Sequence, residues 1–240
     1  MLASIVSTTI GISKLKTVLM REIDSLLARA GFSRVRDRFY GDLYCREGDG
    51  VRHGISLGAS MYLPGVLQGV VEGISVRFHD VEALVARIED PHPLTDAKAL
   101  RARSTLYARI SESDPAVRKL LRSWGGTAAK VWLVRSYEEV AHIASEMAAF
   151  ALEHGEPILA TLSDRNRALE ILSRDDEEAR TYSGPDEARA MRAIVLALLL
   201  HGESSARQLS NVKLGRMRGD AVDALRRAVE RLFELGVAAQ

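Results

Sequence analysis

The sequence predicts an α+β protein: an antiparallel β-meander of about four strands packed on helices, followed by a mainly helical C-terminal half. Three observations predict it. Residues 39–78 carry apolar side chains in two-residue alternation, the pattern of half-buried strands. The runs are separated by "EGDG" (47–50) and Pro64-Gly65, turns too short for anything but antiparallel hairpins. From about 136 onward, apolar residues recur at helical spacing instead.

Each element follows in order. Leu15, Leu19, Ile23, Leu26, Leu27 and Ala30 form one helical stripe between Lys14 and Ala30, and Gly31 supplies a left-handed cap. Phe39, Leu43 and Cys45 then alternate with polar residues. In the next run His53, Ile55, Leu57, Ala59 and Met61 share one face, and Gly54, Ser56, Gly58, Ser60 and Tyr62 the other. A third run places Val70, Ile74, Val76 and Phe78 opposite Gly69, Gly73 and Ser75. Asp80 caps a helix whose stripe is Val81, Leu84, Val85 and Ile88, stopped by Pro91 and Pro93. Residues 90–103 read as a linker or crossover, 104–111 and 130–134 as strands. Asp114-Pro115 starts a short helix.

Ser136-Tyr137-Glu138-Glu139 matches a capping box. Its helix is expected to end near Gly155. Further helices are expected near 164–174, 186–201, 204–213 and 219–235. In domain terms, residues 1–13 read as a loose N-terminus, or as residues ahead of a later start such as Met20. Residues 14–135 form the α+β domain. Residues 136–240 form a helical layer or a second helical domain.

Composition narrows the function. Among 240 residues, 33 basic and 32 acidic side chains leave a net charge of +1, so the whole molecule is not steered toward polyanions. Cys45 is the single cysteine, which excludes an internal disulfide and a thiolate cluster and suits a reducing, cytoplasmic setting. The longest apolar run, Ala193 to Leu200, is too short to span a bilayer. The six histidines, at 53, 79, 92, 142, 154 and 201, never fall at metal-ligand spacing. No metal and no cofactor are expected.

Gly54-Ile55-Ser56-Leu57-Gly58 spells the G-x-S-x-G of serine hydrolases. A nucleophile elbow needs a sharp turn at the serine and a helix directly after it. Leu57, Ala59 and Met61 instead continue the strand alternation, so Ser56 is read as a strand residue and no catalytic residue is assigned. The glycines and serines on one face of two neighbouring strands suggest a smooth surface, for a helix of this chain or for a partner.

The stretch "LLARAGFSRVRDRFYGDLYCREGDGVRHGISLG" resembles the start of an uncharacterised bacterial domain family: a helix ending in Gly-Phe, a basic stretch, a Phe-Tyr and a hairpin. "SYEEVAHIASEMAAFALEHGEPILATLSD" is similar to a later part of such proteins, where a helix closes in a glycine-proline turn. Gly31, Phe32, Phe39, Tyr40, Gly155 and Pro157 carry the resemblance, which spans residues 15 to 175. Some proteins of this kind resemble immunity proteins, which bind and block toxins.

The expectation is therefore a non-catalytic protein-binding module, immunity- or defence-related in bacteria, whose partner is another protein. Candidate contacts are Arg34, Arg36, Arg38, Tyr40, Tyr44 and Arg46 on the first hairpin. The alternative is a DNA-binding regulator using a helix-turn-helix-like segment over 204–235. Its phosphate and groove contacts would be Arg207, Lys213, Arg216, Arg218, Arg226 and Arg227. Against it, Asp220 and Asp223 stand at the front of the supposed recognition helix.

Overall fold

The computed structural model describes residues 11–37, 41–88, 104–108, 130–176, 179 and 186–237. Among them the α+β architecture holds. The helices are α1 (Ile12–Ala28), α2 (His79–Ile88), α3 (Tyr137–Ser163), α4 (Arg165–Ser173), α5 (Asp186–Arg216) and α6 (Asp220–Val237). The strands are β1 (Ser33–Asp37), β2 (Gly41–Gly48), β3 (Val51–Leu63), β4 (Val66–Phe78), β5 (Leu106–Ala108) and β6 (Val131–Val134). Helix α1 begins at Ile12, inside the stretch expected to be loose; residues 1–10 lie outside the described residues, as do the linker at 90–103 and the helix expected after Asp114.

Strands β1 to β4 form the meander, each antiparallel to the next. The outer edge of β4 is shared: β5 pairs with Ile74–Val76 and β6 with Leu67–Val70. The β3–β4 turn is Pro64-Gly65, with Gly65 at φ 81°. Proline at the second turn position and a positive-φ glycine at the third are what a type II turn requires.

Helices α1 and α3 pack on each other and on one sheet face. On α1, Leu15, Leu19, Ile23 and Leu27 are fully buried, each contributing about 1.5–3 kcal/mol of transfer free energy. Gly31 sits at φ 82°, and the Phe32 amide donates back to the Leu27 carbonyl, closing α1 as its sequence required. Buried residues from α1 through the sheet to α6 form one hydrophobic cluster. Within α5, Ala190 to Ala197 are buried throughout, so that segment is enclosed on all sides. Gly202 breaks α5 with φ 81° and ψ −179°, where the sequence placed the end of one helix and the start of the next.

Three expectations are corrected. First, α3 does not end near Gly155; it continues through Gly155 and Pro157 to Ser163. A side chain at 155 would press on Ile74 of β4, with its Cβ 2.8 Å from Cδ1. Glycine therefore lets the helix lie close on the sheet, and burial of Leu159 and Leu162 extends it. Second, the Ser136 hydroxyl does not cap the α3 amides. The Glu139 carboxylate does not close the box either; it accepts the amide of Arg135, the residue before the N-cap, at 2.7 Å. Third, Gly69 does not share a face with Gly73 and Ser75. The β3–β4 register jumps from Ser56↔Gly73 to Leu57↔Val71, an extra residue on β4. This bulge swaps the faces, so Gly69 lies under Met147 and Leu19 of the helical layer.

Candidate protein-docking surface

Ser56 lies within β3, a continuous 13-residue strand, with no helix following it. Its hydroxyl donates to Glu72 Oε2 at 3.1 Å, and it is 4% exposed. The small residues around it make room for the sheet's own side chains rather than for a helix. A Cβ on Gly54 would meet Ser75 Oγ, one on Gly58 the Glu72 carboxylate, and one on Gly73 the Tyr107 ring. Leu43 and Cys45 are buried on the same face, and burial pushes the Cys45 thiol up, away from thiolate reactivity.

The structure brings together a serine and a histidine that the sequence did not connect. His53 Nε2 lies 2.7 Å from Ser163 Oγ on α3, and His53 Nδ1 lies 3.3 Å from Arg46 Nη2. A guanidinium only donates, so Nδ1 accepts and the ring proton sits on Nε2. Nε2 therefore donates to Ser163, whose hydroxyl donates onward to the Leu159 carbonyl at 2.6 Å. The proton flow runs away from the imidazole, the reverse of what a general base at a serine needs. Burial and the Arg46 charge hold His53 below its ordinary pKa, so it stays neutral. Arg46 in turn grips Glu156 with both terminal nitrogens and stacks on the Phe32 ring. This chain of donors ties the meander to α3.

Of the six first-hairpin contacts, Arg34, Tyr44 and Arg46 are engaged with other side chains of this chain. Tyr44 is fully buried and its hydroxyl donates to Asp24 at 2.7 Å; burial and that carboxylate push the phenol up. Tyr44 therefore offers no surface to a partner. Arg34 bridges Asp24 and Asp42. Arg46 is committed as above. Arg38, Tyr40 and the side chain of Arg36 lie outside the described residues.

The basic C-terminal set is also largely committed. Lys213 is buried at 1% exposure, donating to Asp175 and the Ser173 carbonyl, so it cannot reach a phosphate. Arg216 donates to Asp175 at 2.7 Å, and the buried Arg189 reaches the same carboxylate. Burial alone would raise the Asp175 pKa. Hydrogen bonds from Lys213 and Arg216, with the charges of Lys213 and Arg189, outweigh it and lower the value to about 2. Arg207 pairs with Glu203 and stacks on Phe233; Arg226 pairs with Asp223. Arg218 and Arg227 are exposed.

What the sequence reading missed is the end of the β3–β4 hairpin. Strand β2 accompanies β3 only as far as Leu57, so from Gly58 to Leu63 β3 has β4 as its one strand partner among the described residues. Met61, Tyr62 and Leu63 at this end are 63%, 55% and 54% exposed, and Val131 of neighbouring β6 is 42% exposed. No acidic or basic residue occurs from Gly54 to Val71, in a chain where 27% of residues are charged. That uncharged run was the available signal. An open strand edge with exposed apolar side chains is a template for another chain.

A shallow open hollow of about 330 Å³, lined by Ser13, Lys14, Thr17, Val18 and Tyr137, gathers no convergent polar groups. No cluster of His, Cys, Asp or Glu among the described residues could hold a metal. No helix among them is long and apolar enough to cross a membrane. Comparison with protein-family models, curated proteins and solved structures finds no match to this chain.

Proposed function

We propose that this chain is a non-catalytic protein-binding module of the bacterial cytoplasm, serving immunity or defence by engaging another protein through the end of the β3–β4 hairpin. The observation that carries the reading is the exposure of Met61, Tyr62 and Leu63 on a strand whose outer edge has no strand partner beyond Leu57 among the described residues. Strand edges bind by main-chain hydrogen bonds, with side chains on alternate positions setting selectivity. The resemblance of residues 15 to 175 to an uncharacterised bacterial domain family, some of whose members are immunity-like, points the same way. So does the Ser163–His53 pair, whose protons face the wrong way for catalysis. DNA binding has less support, since Arg207, Lys213, Arg216 and Arg226 are engaged with carboxylates of this chain.

A photo-crosslinking residue in place of Tyr62, introduced in the native cell, tests the reading. The expected result is a discrete protein adduct at 62 that fades when Leu63 is changed to Ser. Adducts to nucleic acid from positions 218 and 227, lost steeply as salt rises, with none at 62, would overturn it in favour of DNA binding.

A further inference from the structure

We infer that the partner protein receives the hairpin end in an apolar cleft that carries a hydrogen-bond acceptor, and that Tyr62 is the residue anchored there. This rests on the protein-binding reading and names the residue and the chemistry of recognition.

The β3–β4 ladder departs from regular pairing at this end. Met61 lies opposite Leu67, and Leu63 lies opposite Val66. One step along β4 thus spans two along β3, and Tyr62 is an extra residue with no opposite. Bulges of this kind re-aim a side chain. Directly opposed residues of an antiparallel pair share a sheet face. Met61 therefore lies on the face of the buried Leu67, toward the helices, and Leu63 on the other. A regular ladder would carry two side chains over this step, and the bulge adds a third. All three are more than half exposed.

That arrangement sets the shape of what can cover it. A flat surface reaches one face of a hairpin; covering Met61 and Leu63 together takes a cleft that closes on both. Tyr62 adds a polar demand. Its hydroxyl meets no partner among the described residues. A phenol taken out of water needs an acceptor, so the cleft must supply one. Tyrosine also offers a large, stiff contact area with only two side-chain torsions to fix, which is why it recurs as an anchor in interfaces. Pro64 and Gly65 hold the turn just beyond, so the hairpin end arrives preformed and little ordering is lost on binding. A bilayer surface also accepts an apolar tip, but peripheral insertion draws on Lys and Arg beside the apolar group. None occurs from Gly54 to Val71, and the next residue of β4 is Glu72.

Photo-crosslinking residues at Met61 and at Leu63, each introduced into the full chain in the native cell, read the two faces. Both should yield an adduct to one and the same protein. Deleting Tyr62 leaves Met61 opposite Leu67 and Leu63 opposite Val66, so the ladder becomes regular and the melting profile should stay native. The adduct should nonetheless fall by roughly tenfold or more, the loss expected of an anchor residue. Tyr62→Ala, which leaves the length of β3 unchanged, should do the same. Tyr62→Phe keeps the ring and gives up the hydroxyl's bond, and should lower the adduct about fivefold. An adduct that survives both the deletion and Tyr62→Ala, one that is unchanged in Tyr62→Phe, or one formed from a single face overturns the inference and leaves the protein-binding reading standing. No protein adduct from either position sinks both. Flotation of the purified chain with phosphatidylcholine vesicles, lost on deletion of Tyr62, would then assign the tip to a bilayer.

Discussion

The sharpest stability test is the removal of Glu82 from its buried partner. Glu82 lies on α2 with a side chain 1% exposed, and Arg192 on α5 is 11% exposed. The pair is bidentate: Nε to Oε1 at 2.8 Å and Nη2 to Oε2 at 3.0 Å. Thr105 donates to the same carboxylate at 3.0 Å and accepts the Phe78 amide. Arg77 lies close by; burial lowers its pKa and the Glu82 charge opposes that shift. Glu82→Ala would leave Arg192 enclosed without its counter-charge and take from Arg77 the larger of the two carboxylate charges acting on it. Breaking a buried pair from one side costs about 3–5 kcal/mol. For a chain of this size each kcal/mol moves Tm by about 2–4 °C, so the fall should be roughly 6–20 °C. Replacing both partners with apolar residues of similar volume, Glu82→Leu with Arg192→Met, should recover most of it, because no enclosed charge remains. Urea denaturation followed by circular dichroism measures both variants. A single variant that loses under about 1 kcal/mol, or a double variant no better than the single, would show that the pair is hydrated and the reasoning wrong.

Four further outcomes follow from the same coordinates. Gly73→Ala should destabilise more than Gly69→Ala in chemical denaturation: its Cβ would fall 2.7 Å from the backbone oxygen of Ala108, whereas at 69 the nearest atom is the mobile Met147 Sδ at 2.6 Å. Asp175→Asn should cost about 2–3 kcal/mol by leaving Arg189 and Lys213 undercompensated, a figure reduced for the partial exposure of Asp175. Because the folded pKa of Asp175 is about 2, its contribution should be present above about pH 4 and lost as pH falls through 2; an acid titration of stability that is identical in the Asn variant refutes this. His53 is held below its ordinary value, so the unfolded chain takes up a proton that the folded chain refuses. Stability should fall as pH drops below about 6.5, and His53→Gln should remove that component of the pH profile.

The legible parts of the fold were those fixed by neighbours in sequence. The α1 stripe, the Gly31 cap, the Pro64-Gly65 turn and the break at Gly202 depend on residues a few positions apart, and each stands where its pattern put it. The course of α3 was not legible, because what carries it past Gly155 is a contact with Ile74 of a distant strand. The β4 bulge was hidden by Val70 and Val71, two adjacent apolar residues that fit either alternation. The burial of two candidate contacts was hidden for the same reason. Tyr44 finds Asp24, and Lys213 finds Asp175, across intervals that no local pattern records. Arginine and lysine in a sequence look solvated until the fold supplies a carboxylate. The hairpin end was readable in principle, but as an absence of charge over 54–71 rather than as a motif.

The extra residue in β4 also constrains how this hairpin tolerates changes of length. Both strands have 13 residues, because the extra residue on β4 at Glu72 is matched by a second register shift on β3 between Met61 and Leu63. Deleting Glu72 would cost Ser56 its hydrogen-bond acceptor but restore a regular ladder, with Gly73 still opposite Ser56 and Val71 still opposite Leu57, so Leu67 and Val71 would stay inward. A lone insertion or deletion between Leu67 and Val71, where the pairing is regular, would instead set the residues on one side of it on the wrong face. Viable variants of the hairpin should therefore tolerate loss of one residue at the bulge, and elsewhere change length by even steps or by matched changes in both strands.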